Sequence, residues 1–333
     1  MHIVYHTVKI WVLKILDRIV HRAKKITFPF FDGLPLYDVA LFFWKGIYDG
    51  AITTRASAVA FNFILAVFPT IIFLFTLIPY IPIDNFQVQL LALIQSILPD
   101  NAYIVVRSTI QDIVTQPRGS LLSFGFLAAF IFSTNGLVSI IVAFNGTIHA
   151  IETRNWISLY LTAFGLSLIL TTLTTLSVAL ITISQRALDF LLAKEFIRLD
   201  YIYYLLIGGK WLVILLLFFF AFAFLFYYAP ARKMKFRFIS AGGTLATLLS
   251  IVISVGFSYY INNFGRYNTL YGSIGTLVVM MLWFYFMALI LLIGFELNAS
   301  IWSAQSQANA INASKNTEEK SPLMEENQEN GKI

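Results

Sequence analysis

Six times between Ala56 and Phe295 the chain stays apolar for about 20 residues, the length an α-helix needs to cross the hydrocarbon core of a bilayer. Nothing else in the sequence constrains the fold as strongly. In hydrocarbon every backbone polar group must be satisfied within the segment, so each run has to be helical. The spans are placed at about 56–80, 121–144, 156–184, 211–229, 238–260 and 271–295. Composition agrees: only 12% of the 333 residues are charged, too few to cover a water-soluble surface of this size. The expected fold class is all-α, a polytopic membrane protein of six transmembrane helices.

Flanking segments have a different character. Over residues 1–54 two cytoplasmic interfacial helices are expected. In the first, Lys14, Arg18, His21, Arg22 and Lys25 share one face and Val8, Val12, Ile15, Leu16 and Ile19 the other, the pattern of a helix lying in the headgroup plane or of one packed on the cytoplasmic ends of the bundle. The second is the aromatic-rich 34–50. The long connection 83–117 shows helical apolar spacing on both sides of Pro99 and reads as two outer amphipathic helices. Residues 305–333 turn polar, and a disordered cytoplasmic tail is expected there.

Lys and Arg counts set the orientation. The first-span flank with Lys45 and Arg55, the Arg154 turn, and the cluster Arg232, Lys233, Lys235 and Arg237 fall on one side. Basic residues on the other side are interleaved with Asp and Glu. Both termini are therefore expected in the cytoplasm of a bacterial inner membrane. The formal charge of +6 points to anionic lipid headgroups at that face rather than to nucleic acid. Without cysteine there is no thiolate metal site, and no nucleotide-binding glycine loop or metal-ligand motif appears. No cofactor and no enzymatic activity are expected.

Polar residues inside or at the mouths of the spans are the candidate functional groups. Asn62 and Pro69 lie seven residues apart on nearly one face of the first span, where the proline removes a backbone hydrogen bond. Asn135 and Asn145 sit in and at the end of the second span, and Arg154 opens the third. Hydroxyls crowd the third span, and bonds back to their own helix are favoured over a water-lined path. In the fifth span Gly242, Ala246, Ser250, Ser254 and Ser258 put a small residue at every fourth position, a packing seam. Glu296 is the one charged side chain between Arg266 and Lys315, with Asn298 beside it. A span starting at Tyr271 leaves the hydrocarbon near Leu291. Glu296 is then a headgroup-level group paired with Arg55, Arg154 or the 232–237 cluster, an anchor in preference to an inner gate or proton-coupling group.

Several of these stretches resemble one family. They are RASAVAFNFILAVFPTIIFL, FSTNGLVSIIVAFNGTIHAIETRN, YYAPARKMKFR and NFGRYNTLYGSIGTLVVMMLWFYFMALILLIGFELNAS. Together they are similar to the signatures of the YihY/virulence factor BrkB inner-membrane proteins, over roughly Ala40 to Ser300. The resemblance adds Tyr271 and Gly272 to the candidate residues. It implies six spans and an inner-membrane location, and no settled activity. Members carried a "ribonuclease BN" label regarded as a misassignment, and others are linked to serum resistance or to lipid and envelope export. A transporter or lipid-translocating protein without its own ATPase is the leading expectation. A scaffold for envelope protein partners is the alternative.

Overall fold

A computed structural model describes residues 18–80 (except 19 and 29), 117–147, 154–193, 201–231, 238–263 and 273–330. Seven helices are described: α1 Leu36–Asp49, α2 Ile52–Leu77, α3 Gly119–Asn145, α4 Trp156–Ala193, α5 Tyr201–Tyr228, α6 Ala241–Asn263 and α7 Ser273–Asn330. Six of them, α2 to α7, contain a stretch long and apolar enough to cross a membrane. The protein is an all-α, six-span bundle.

Chain direction alternates between spans. One end of the bundle, called here the terminal face, therefore gathers the starts of α2, α4 and α6, the ends of α3 and α5, and the middle of α7. Helix α1 packs there as well. At the centre α7 touches α1, α2, α3 and α6, while α4 packs only on its chain neighbours α3 and α5 among the principal contacts. Lipid supplies no hydrophobic force between helices, so close fit must hold them. The core sets small residues (Ala56, Ala143, Ala163, Ala246, Ala288, Ala299) among larger aliphatics such as Leu137, Ile141, Leu166 and Leu292, around one aromatic cluster. Phe144 stacks on Phe295 at 4.2 Å and 11°, and Phe226 closes on both rings at 5.7 and 6.1 Å. Trp44, Tyr48, Trp156 and Tyr228 stand exposed around the same face, as in the aromatic belt of an interface.

Helix α7 does not stop at Phe295 but continues unbroken to Asn330. Between Phe295 and Ser321 there is no Gly or Pro, and Ala, Gln, Lys and Glu recur, so nothing local stops the helix. The fifth-span seam is buried only at Gly242, Ala246 and Ser250, with Ser254 and Ser258 exposed. Gly242 and Gly294 meet backbone to backbone, where a Cβ on either would strike the other's carbonyl. From that crossing toward the far end the small-residue face of α6 emerges. Three of the α4 hydroxyls, Thr172, Ser177 and Thr182, bond back as favoured, donating to carbonyls of their own helix at 2.8–2.9 Å on its exposed or half-buried flanks. Most of the N-terminal amphipathic helix, the outer connection 83–117 up to residue 116, the 232–237 cluster, Tyr271 and Gly272 lie outside the described residues.

Candidate functional site

Helices that end at a bilayer surface leave their last carbonyls and first amides without partners. In this chain side chains from other helices answer that need at the terminal face. Arg55, one turn into α2, donates from Nη1 to the Ala143 carbonyl in the last turn of α3, 2.8 Å away. Arg154 reaches from the start of α4 to the end of α5. Its Nη2 donates to the carbonyls of Tyr228 at 3.1 Å and Pro230 at 2.6 Å, and its Nη1 donates to Thr162 Oγ1 at 3.2 Å. Cations are electrostatically favoured at such C-termini. Asn145 accepts from the Ala231 amide at 2.7 Å, tying the end of α3 to the end of α5.

The start of α6 is capped from outside. Asn298, on α7, accepts from the Gly242 amide at 2.8 Å and donates to Ser240 Oγ at 3.1 Å. Ser240 Oγ in turn accepts from the Gly243 amide at 3.0 Å. A residue distant in sequence thus performs part of the N-cap role that a local Ser or Asn ordinarily fills.

At the middle of this face lies Glu296, fully buried. Thr147 Oγ1 donates to its Oε1 at 2.7 Å, and Arg55 Nη2 stands 3.4 Å from its Oε2. Of the partners left open for Glu296 by the sequence, the structure provides Arg55. Glu296 lies inside a continuing helix, and α1 covers it: Gly46 leaves room for the carboxylate, which a Cβ there would strike. Four elements meet at one carboxylate, namely α1, α2, the segment just past α3, and α7.

The two intramembrane amides are separate from this cluster and from each other. Asn62 donates to Ser139 Oγ at 3.3 Å and to its own Ala58 carbonyl at 2.9 Å, linking α2 to α3. Asn135 accepts from the Tyr160 hydroxyl at 3.2 Å, linking α3 to α4. Pro69 sits inside α2 without breaking it. Sequence reasoning did not single out Gly46, Thr147, Ser240 or Gly294. Thr147 could have been flagged as a hydroxyl two residues past Asn145, but its partner lies 149 residues away.

Beside Asn298 opens a cavity of about 420 Å³, bounded by the end of α5, the start of α6, the part of α7 beyond Glu296, and the turn holding Phe30 and Asp32. Among the described residues no group of three or more His, Cys, Asp or Glu could hold a metal ion.

Fold and site together define a six-span helical membrane protein in which side chains fasten helix ends to one another at the terminal face. Within that class the chain belongs to the virulence factor BrkB family, whose sequence model matches residues 43–319. It is 31% identical to the ribonuclease-like protein YfkH of Bacillus subtilis over 247 residues, 74% of this chain and 88% of the relative. It is 26% identical to the UPF0761 membrane protein IL2447 of Idiomarina loihiensis over 65% of this chain and 73% of that one. To the UPF0761 membrane protein XAC0937 of Xanthomonas axonopodis it is 22% identical over 89% and 66%. No solved structure matches the chain.

Proposed function

We propose that this protein moves an amphipathic envelope component, a lipid or lipid-linked molecule, across a bacterial inner membrane without an ATPase of its own, with both termini in the cytoplasm. The observation that carries the reading is the cavity at the terminal face. It is partly open, falls within the ~300–1,000 Å³ range of small-ligand sites, and runs from apolar Ala223 and Phe226 to polar Gln305 and Asn309. An occupant with an apolar and a polar end matches that gradient. The basic residues of the terminal-face segments would attract anionic lipid to this face.

The test is reconstitution into liposomes with fluorescent lipids in both leaflets and an impermeant quencher outside. Protein-dependent access to the inner-leaflet pool, lost when Gln305→Trp fills the cavity, is the expected result. Lipid exchange no faster than in protein-free vesicles, for every lipid class tried, overturns the reading. The ribonuclease-like name of the Bacillus relative is not carried over: among the described residues no group of three or more His, Cys, Asp or Glu could hold a metal ion.

One observation favours a second reading, a scaffold for envelope proteins: α7 runs on for more than thirty residues beyond Glu296. If truncation after Ser314 removed a co-purifying envelope partner while vesicle transport was absent, the scaffold reading would replace the first.

A further inference from the structure

Two side chains in the wall of the terminal-face cavity also hold a helix. Asn298 and Ser240 line the cavity, and the same pair caps the start of α6. Asn298 Oδ1 accepts from the Gly242 amide, Asn298 Nδ2 donates to Ser240 Oγ, and Ser240 Oγ accepts from the Gly243 amide, all within 2.8–3.1 Å. The first amides of a helix have no intrahelical acceptor, so these bonds decide how firmly α6 begins. A carboxamide offers two lone pairs and two N–H groups, and a hydroxyl two lone pairs and one O–H. Asn298 commits one lone pair and one N–H to the cap, and Ser240 commits both lone pairs. The groups left over are one lone pair and one N–H on Asn298 and the Ser240 hydroxyl proton, and both residues border the cavity.

Space leaves the Asn298 amide little freedom. Gly242 lies flat against it: a Cβ added there would come within 2.7 Å of Asn298 Cγ and would strike the Gly294 carbonyl. The amide cannot swing toward an occupant without α6 moving off α7. An occupant bonded to the spare positions breaks no capping bond, and it holds the amide in the orientation that caps. Hydrogen bonds joined in such a chain also polarise and strengthen one another. We infer that Asn298 is the contact through which the cavity's occupant acts on α6, so that filling the cavity tightens α6 on α7 and emptying it loosens the helix. The occupant must present a hydroxyl, amide or ester to Asn298. By linkage, whatever loosens α6 lowers the affinity for that occupant by the same factor. The inference rests on the transport reading for its occupant and adds how the arrival of that occupant is passed to a helix.

The test uses a tethered occupant, which a chain without cysteine allows at a single chosen site. Gln305 lines the cavity about two helical turns, ~10 Å, from Asn298 along α7. Full-length Gln305→Cys is coupled to a methanethiosulfonate reagent ending in a triethylene-glycol alcohol, long enough to bring its hydroxyl to Asn298. Amide hydrogen exchange over residues 241–249, read by mass spectrometry with fragmentation, compares the coupled and uncoupled forms. Coupling should slow the Gly242 and Gly243 amides about fivefold, the weight of roughly one net hydrogen bond. Asn298→Ala in the same background should exchange fast there with or without the tether. Exchange over residues 121–144 of α3 should not change, which separates a local tightening from a general one. Unchanged or faster exchange at the start of α6, with attachment confirmed by mass, overturns the coupling. So does an equal slowing by the same reagent on Ser314→Cys, an exposed position of α7 outside the cavity. The liposome assay decides the transport reading separately. Lipid exchange without a tether effect removes the coupling alone, and a tether effect without lipid exchange supports the coupling and removes the transport reading.

Discussion

Breaking the Arg55–Glu296 pair from each side should give unequal losses, and the inequality can be worked from burial. The Glu296 side chain is 1% exposed and the Arg55 side chain 14%. Arg55→Ala leaves the deeper charge without its cation, whereas Glu296→Ala leaves the shallower one. Removing one member of a buried pair costs about 3–5 kcal/mol. Two features put this pair at the lower end. The 3.4 Å separation exceeds the ~2.7–2.9 Å of a strong charge-assisted bond, and Arg55 Nε has no partner among the described residues. Arg55→Ala should therefore cost about 4 kcal/mol and Glu296→Ala about 3 kcal/mol, with the double variant well short of their sum. A coupling of about 2 kcal/mol is expected for groups in direct contact. Gly46 adds an internal control. Gly46→Ala drives a methyl into the carboxylate and should cost about 1–3 kcal/mol in the wild type and little once Glu296 is alanine. Unfolding in bicelles by added SDS, followed by tryptophan fluorescence, measures the wild type and all five variants. Additive losses for Arg55 and Glu296, or an unchanged Gly46→Ala penalty in Glu296→Ala, would refute the argument that these groups form one enclosed cluster.

Two further outcomes are expected. Gly242→Val should destabilise the protein by about 2 kcal/mol or more in the same assay, because the Gly294 carbonyl it meets is backbone and cannot turn aside. A wild-type midpoint would mean that the α6–α7 crossing is looser than described. Ala51 starts α2 in the left-handed region at φ 47°, ψ 44°, which is unfavourable for a residue with a Cβ. Ala51→Gly should raise stability by about 0.5–1 kcal/mol, and a loss on that substitution would contradict the assigned turn.

The spans were legible because span length is a local property: the apolar runs at 56–80, 121–144 and 156–184 closely match the spans Ile52–Tyr80, Gly119–Asn145 and Trp156–Ser184. Polar residues at span ends were legible for the same reason, since an Arg or Asn beside twenty apolar residues stands out. Arg55, Asn145, Arg154, Glu296 and Asn298 do gather at one face. What they bond to was mostly not legible. Arg154 and Asn145 use backbone atoms of a distant turn, Asn298 caps a helix 56 residues earlier, and Gly46 matters only for what it lacks. The extension of α7 past Phe295 was not read from the sequence, although the stretch from Phe295 to Ser321 holds no Gly or Pro.

Fastening the helices at one face has a mechanical consequence. The strongest ties described here, Arg55 to Glu296 and Ala143, Arg154 to the end of α5, and Asn298 to the start of α6, all lie at the terminal face. Farther along, α6 turns its serines outward and α4 is almost wholly lipid-facing. At the other end, among the described residues, Gly125 lies against the Phe73 backbone and Phe257 against Trp283, so a tilt imposed at the terminal face passes along α2–α3 and α6–α7 as paired rods.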